Sequence, residues 1–440
     1  MSTEILLHGR TFRVFPYEQL PALKLQMLNW ANRFNICCFM DNHGYQANLH
    51  SYECLLAAGS RSFLSRQAGT ALTDLREFSQ SSGDWFFGHL GFGMKAEILS
   101  SRTLLNDPIG FPDCFFFVPD TLVLVRGTEL LISSYSQAAE EVVKELLSTP
   151  VPAYVSGHAA VLEPVMTAKE YIGRVEQLKA HIHRGDCYEI NFCQEFRAEM
   201  ATIDPVSVYS RLVRISPTPH SVFYRYEDRY LLCASPERFF KVEGRKIWSQ
   251  PIKGTAPRYP DQPDQDAQSA RDLVNSEKER SENVMVVDLV RNDLSMICKA
   301  GTVQVDELFG IYSFPQVHQM ISTISGELEE GVDLVDVLRA CFPMGSMTGA
   351  PKKRVLELIE KYELVQRGIF SGAVGYSTPD GNADFNVVIR SLMYNQSANY
   401  LSCQVGSAIT WYADAAREYE ECLLKVAAIR KALEDPETTN

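Results

Sequence analysis

Residues Phe370 to Tyr412 read FSGAVGYSTPDGNADFNVVIRSLMYNQSANYLSCQVGSAITWY. Apolar and β-branched runs alternate with turn formers at Pro379-Asp-Gly381 and at Asn395 to Asn399, which predicts three consecutive strands in an antiparallel meander. A helix is expected after it, from about Ala416 to Leu433. Two shorter helices, over about 332–341 and 351–362, are expected before it. Further upstream, the charged stretch from about Ala267 to Ile297 keeps Leu273, Val274, Val287 and Leu294 to one side and reads as one long helix. Thr167 to Arg184 carries its own start signal, with Thr167 as N-cap and Glu170 three residues on, and it stops at Gly185. Between these helices, two hairpins are expected to turn near Glu227-Asp228 and Glu243-Gly244. Strand runs broken by helices, with no regular βαβ alternation, define an α+β fold class.

Residues 1–150 hold further β-rich pieces, Cys114 to Val125 and Glu129 to Ser134, around Gly88-His-Leu-Gly-Phe-Gly93. That glycine run lacks dinucleotide-loop spacing and reads as a tight bend. The prolines at 150, 152 and 164 mark residues 148–165 as a link between an N-terminal region, 1–150, and a second region, 165–433. With 440 residues and 45% hydrophobic content the chain can bury a large core. Its net charge of −13 argues against nucleic acid or an anionic membrane surface as partner, and an anionic substrate would need local cations or a metal. The absence of a signal-peptide core or a membrane-length apolar run leads us to expect a cytoplasmic protein. The eleven scattered cysteines show no C-x-x-C spacing and are expected to be reduced and mostly buried.

Several residue groups could carry chemistry. Glu279 and Glu282 lie three apart on one expected helix, and Glu418 and Glu421 repeat that spacing on the last. Each pair therefore shares a face, and four oxygen donors from two helices could hold a hard cation such as Mg2+. Taken alone, either pair is more often a solvated helix face. In Phe342-Pro-Met-Gly-Ser-Met-Thr-Gly-Ala-Pro-Lys352, glycines and hydroxyl residues run into a helix whose free N–H groups suit an anion, although an ordinary Gly-rich start fits equally well. Arg390 would suit bidentate carboxylate binding or a surface position. Lys253, between Ile252 and Gly254, would shed its proton more easily in a dry pocket and act as a nucleophile; otherwise it is a solvated loop lysine. His318 is a candidate acid or base beside the alternative of a structural histidine. Cys187 has no convincing His and acid partners and is not read as a nucleophile.

The order of these segments is the stronger signal. Gly185-Asp-Cys-Tyr-Glu-Ile-Asn191, Ser235-Pro-Glu-Arg-Phe239, Pro251-Ile-Lys-Gly-Thr255, Ser281-Glu-Asn283 leading to Leu294, the Gly345 to Lys352 motif, Gly372-Ala-Val-Gly-Tyr376, Val388-Ile-Arg390 and the Glu418 to Lys425 helix together resemble the chorismate-binding family. That family includes the large subunits of anthranilate synthase and aminodeoxychorismate synthase, and the isochorismate and salicylate synthases. The resemblance implies large, mostly antiparallel sheets with packed helices. It implies Mg2+ on Glu282 and Glu421 with Glu279 and Glu418 close by, and chorismate held near Arg390, Gly254, Thr255, Gly406, Ser407 and Lys425, with Ser346 and His318 also lining the pocket.

The resemblance also bears on the reaction. Lysine at position 253 resembles the C4-aminating branch, in which it attacks C2 of chorismate, and Glu237 matches the proposed general acid/base. A separate glutaminase subunit supplying ammonia is implied. The rival readings are an anthranilate-forming lyase, against which Lys253 counts, and a catalytically inactive chorismate binder. Four positions depart from the family pattern. Glu189 stands where the aminating members have glutamine and the water-adding members lysine. Phe370 replaces a substrate-contacting tyrosine, Ala408 a common glycine, and Tyr412 a common aspartate.

Overall fold

The computed structural model describes residues 3–17, 20–45, 49–100, 105–151, 160–315 and 317–434. Among these, two antiparallel sheets dominate, one of 13 strands and one of 10. The larger runs from Thr3–Leu7 at one edge, through Ile36–Asp41, His220–Tyr226, Arg229–Ser235 and Ser391–Asn395, to Tyr400–Ile409 and Glu189–Ala198. The smaller runs from Ile252–Pro257 through Val317–Glu327, Arg238–Glu243, Ala383–Val387 and Ala373–Ser377 to Phe86–Leu90, Cys114–Val118 and Ser62–Arg66.

Strand alternation explains the layering. Cys37 and Phe39 face a helix-covered core, where they meet Tyr171, Leu212, Ile359 and Val426 from four helices. Cys38, between them, faces the other way into the core shared by the two sheets, with Phe87, Phe116, Phe240, Ile324 and Phe385. The middle of the larger sheet is thus dry on both faces, and its central strands are buried nearly throughout. Residues before 150 and after 165 share both sheets. Ile36–Asp41 pairs with His220–Tyr226, and Phe86–Leu90 pairs with Ala373–Ser377. Of the stretch expected to link the two regions, residues 152–159 lie outside the described residues.

Several elements match the sequence reading. The helix Ala168–His183 has the Thr167–Glu170 capping box, and the hairpins turn at Glu227 and Gly244, both with left-handed φ. All eleven cysteines are buried and free. Among the described residues no helix is long and apolar enough to cross a membrane. The glycine run at 88–93 is the end of a strand and a short 3-10 turn.

Two expectations are corrected. The long charged helix is two helices, Pro263–Asn275 and Glu277–Ser295, because Ser276 takes an extended conformation and its hydroxyl accepts the Glu279 N–H at 3.3 Å, capping a new start. The meander is two hairpins in two sheets. Ala373–Ser377 and Ala383–Val387 belong to the smaller sheet, Ser391–Asn395 and Tyr400–Ile409 to the larger, and the chain crosses at Val388–Arg390. Periodicity alone does not register such a crossing, because the strands on both sides of it bury both faces. A matching crossing at Ser235–Glu237 joins Arg229–Ser235 to Arg238–Glu243. The two crossings are tied together by Ala234 N–H to Arg390 C=O at 3.1 Å and Val387 N–H to Glu237 C=O at 3.1 Å.

Candidate active site

A cavity of about 630 Å³ opens where the chain passes between the sheets, and Pro236, Glu237, Ile389 and Arg390 from both crossings form part of its wall. Arg390 adopts φ 52°, and among the described residues its side chain has no hydrogen-bond or ion-pair partner. Its guanidinium is therefore available to a carboxylate.

Lys253 reaches the same cavity through a β-bulge. Ile252 pairs with Ile321 and Thr255 with Gln319, so Lys253 and Gly254 together oppose one residue and the strand kinks. Gly254 has φ 99°, and a Cβ there would lie 3.1 Å from Glu279 Oε2, so the bend against the acidic helix needs a glycine. The ammonium of Lys253 donates to Glu189 Oε1 at 2.7 Å. Burial works against its charge, but Glu189, Glu282 and Glu237 outweigh burial and raise its pKa. The expectation of an easily lost proton is thereby corrected: at rest this amine is held charged. Across from it, Glu237 is buried, and burial outweighs the pull of Ser346 and Lys253 to bring its carboxyl to about 7. Glu237 is therefore poised to exchange a proton near neutrality.

The helices Glu277–Ser295 and Ala415–Leu433 supply the remaining wall, with Glu279, Glu282, Glu418 and Glu421 all facing the cavity. Burial lifts Glu282 to about 8, and its Oε1 is buried with no hydrogen-bond partner among the described residues. Burial also raises Glu279. For Glu421, burial is more than offset by Lys425, whose ammonium lies 2.5 Å away, and its pKa is lowered. Lys278 sits among the acids, 3.2 Å from Glu418 and 3.9 Å from Glu282. Among the described residues no group of three or more His, Cys, Asp or Glu is gathered into a metal cage.

Not every expected residue lines the cavity. Gly254, Thr255, Ser346, Arg390, Gly406 and Lys425 do. Ser407 does not: its hydroxyl donates to Glu418, so it orients an acid from behind. Gly406 beside it permits close strand approach, since a Cβ would lie 2.4 Å from Asn191 Oδ1. His318 is also corrected. Its strand neighbours Val317 and Gln319 face the cavity, and alternation turns His318 to the opposite side, where it meets Ser313 Oγ at 2.8 Å and Asp266 Oδ1 at 3.1 Å. The start of helix Lys352–Tyr362 offers no anion site in the cavity, because Lys352 is engaged with Asp293 at 2.8 Å and only Ser346 and Met347 of that motif reach the wall. Of the departures from the family pattern, Phe370 and Ala408 line the cavity, while Tyr412 is exposed and away from it. Burial pushes the Cys187 thiol up to about 11, which agrees with its exclusion as a nucleophile.

Sequence reasoning missed three contributors. Lys278 could have been found from its i, i+4 spacing to Glu282. Asn191 lines the cavity two residues beyond Glu189, on the same strand face. Arg367, buried, donates to Met347 C=O at 2.7 Å, to Asn191 C=O at 2.8 Å and to both oxygens of Glu363, thereby fixing two walls at once. No local pattern signals that role, apart from the i, i+4 spacing of Glu363 and Arg367.

The fold and cavity define an enzyme-like site for a small anionic molecule, lined by Lys253, Lys278, Arg390 and Lys425 and faced by paired carboxylates. The chain belongs to the chorismate binding enzyme family, whose model matches residues 37–431. It is 40% identical over 351 residues to aminodeoxychorismate synthase component 1 of Klebsiella aerogenes, covering 79% of this chain and 76% of that protein. It is 33% identical to anthranilate synthase component 1 of Streptomyces coelicolor, covering 79% and 72%. Among solved structures, anthranilate synthase component I from Streptococcus pneumoniae superposes with a TM-score of 0.75 at 25% identity, covering 88% of this chain and 94% of that one.

Proposed function

We propose that this chain is the chorismate-aminating subunit of an aminodeoxychorismate synthase, converting chorismate and ammonia to 4-amino-4-deoxychorismate for p-aminobenzoate and folate synthesis. The observation that carries the reading is the pairing, across one cavity, of a mostly buried primary amine, Lys253, with a carboxyl, Glu237, whose pKa burial raises to about 7. An amine can add to C2 of the ring while the double bond shifts and the C4 hydroxyl leaves with a proton from Glu237. Ammonia then adds at C4, the double bond shifts back and the amine departs. Capture of C2 by Lys253 directs the incoming nitrogen to C4.

Arg390, unpartnered among the described residues, suits one substrate carboxylate. The acids fit Mg2+, which binds through one or two carboxylates and keeps water and substrate oxygens in its other positions. Glu282, whose buried Oε1 accepts no hydrogen bond among the described residues, and Glu421 would hold it, with Glu279 and Glu418 nearby. When bound, such an ion would neutralise a substrate carboxylate. A separate glutaminase subunit in a heterodimer is the proposed ammonia source, and a cytoplasmic setting agrees with eleven free, buried thiols.

The test is incubation of the chain with chorismate, Mg2+ and ammonium, followed by mass analysis of the product with and without a lyase that aromatises aminodeoxychorismate. The C4-aminated compound is expected from the wild type and not from Lys253→Met. Anthranilate with released pyruvate would overturn the reading in favour of lyase chemistry.

A further inference from the structure

The reading of Lys253 as a nucleophile leaves one proton unassigned, and the next inference rests on that reading. An ammonium has no lone pair, so attack on carbon requires a base at Nζ. Facing Lys253 are Glu189 from the strand Glu189–Ala198, Glu237 from the sheet crossing, and Glu279, Glu282 and Glu421 from the two acidic helices, with Lys278 beyond them. Of these carboxylates, Glu189 is the one hydrogen-bonded to Nζ, at 2.7 Å. Its side chain is 1% exposed, and its second oxygen, Oε2, is buried with no hydrogen-bond partner among the described residues. The backbone beneath it is fixed by pairing of Glu189 with Ala350 and of Ile190 with Ile409. Glu237 is already committed to the leaving hydroxyl.

We propose that Glu189 is the proton acceptor for Lys253, taking a proton from Nζ as the amine attacks and returning it when the amine leaves. In the first half, an N–H bond of Lys253 breaks and an O–H bond forms on Glu189. The freed pair makes the Nζ–C2 bond, the ring double bond shifts, the C4–O bond breaks, and the hydroxyl leaves as water with the proton of Glu237. In the second half, the nitrogen of ammonia bonds to C4, the double bond shifts back, and the Nζ–C2 pair returns to lysine. Ammonia's surplus proton goes to Glu237, and the Glu189 proton goes back to Nζ. Chorismate and ammonia enter, aminodeoxychorismate and water leave, and both carboxyl groups end as they began. Glu189 is a catalytic residue in this scheme because it touches the reacting nitrogen.

The isosteric variant Glu189→Gln separates this role from a structural one. In the wild type the proton moves within a pair whose total proton count is constant. The variant must lose that proton to water, so its rate relative to wild type, at equal total ammonium so that ammonia's own titration cancels, should fall by about 100-fold at neutral pH and recover by about tenfold per pH unit as pH rises. A second arm needs no turnover. Modification of Lys253 by an amine-reactive acylating reagent, followed by mass spectrometry across pH, should be nearly level with pH in the wild type, where Glu189 takes the proton, and should climb by about tenfold per pH unit in the variant, where water must take it. An unchanged labelling curve overturns the proposal, and so does a steeper labelling curve with wild-type turnover at every pH. A wild type that makes no aminated product would sink the reading of the reaction, and the labelling arm would still decide whether Glu189 controls the lysine proton.

Discussion

Burial lifts the pKa of the Glu282 carboxyl, and that has a measurable consequence for the free protein. Burial raises it from the ordinary value of 4.5 to about 8, and Glu237 to about 7. Between pH 4.5 and these values the unfolded chain has released protons that the folded chain keeps, so folding stability falls as pH rises across that window and levels off above it. A tenfold difference in proton affinity between the folded and unfolded chain corresponds to about 1.4 kcal/mol. The Tm of the ligand-free chain should therefore drop from pH 5 to pH 8, and Glu282→Gln should flatten part of that slope while raising Tm at pH 8. A slope identical in the variant would show that Glu282 titrates normally. The identity of the acids was legible in the sequence, because the 279/282 and 418/421 spacings and the motif order pointed to them. The partners were not: Lys253 meets Glu189 across 64 positions of sequence, and no spacing rule reaches that far. The orientation of His318 was lost for a related reason, since strand parity is readable only once the face is known.

Elements place these residues through a few buried polar joints. Arg367 ties the turn at Met347 to the strand at Asn191, and Glu363, its ion-pair partner, also accepts the Cys193 N–H at 2.9 Å. Both side chains are almost fully buried. Removing one member leaves an uncompensated charge in a dry interior, which costs about 3–5 kcal/mol. We expect Arg367→Ala to lower stability by that amount in urea unfolding, whereas Ser276→Ala, which removes only the cap of the first acidic helix, should cost about 1 kcal/mol. A loss below 1 kcal/mol for Arg367→Ala would mean that the joint is not what holds the two walls. At this scale the capped helix Ala168–His183 and both hairpin turns were readable from their own residues. The helix break at Ser276 and the sheet crossing at Val388–Arg390 were not, because the charge pattern continues past the first and the apolar pattern past the second.

The whole molecule is organised around the sharing of strands. The cavity residues all come from positions after 190, yet the two sheets that carry them are completed by residues before 150. Without that N-terminal part, His220–Tyr226 would lose its neighbour Ile36–Asp41, and Ala373–Ser377 would lose Phe86–Leu90, leaving two bare strand edges. The core between the sheets would also lose Trp85, Phe87, Phe115, Phe116 and Phe117. Burial of one such side chain is worth about 1.5–3 kcal/mol, so losing these five forfeits about 8–15 kcal/mol, as much as the roughly 5–15 kcal/mol by which a typical domain is stable. A fragment of residues 165–433, although it carries every residue of the candidate site, should therefore fail to fold alone: expressed separately it should lack near-UV circular dichroism and aggregate, and the full chain should unfold in one transition seen alike by tryptophan fluorescence and by the far-UV signal. A soluble fragment with native near-UV signal and chorismate binding would show instead that the second region carries its own core, and that the shared strands are a later addition to a finished site.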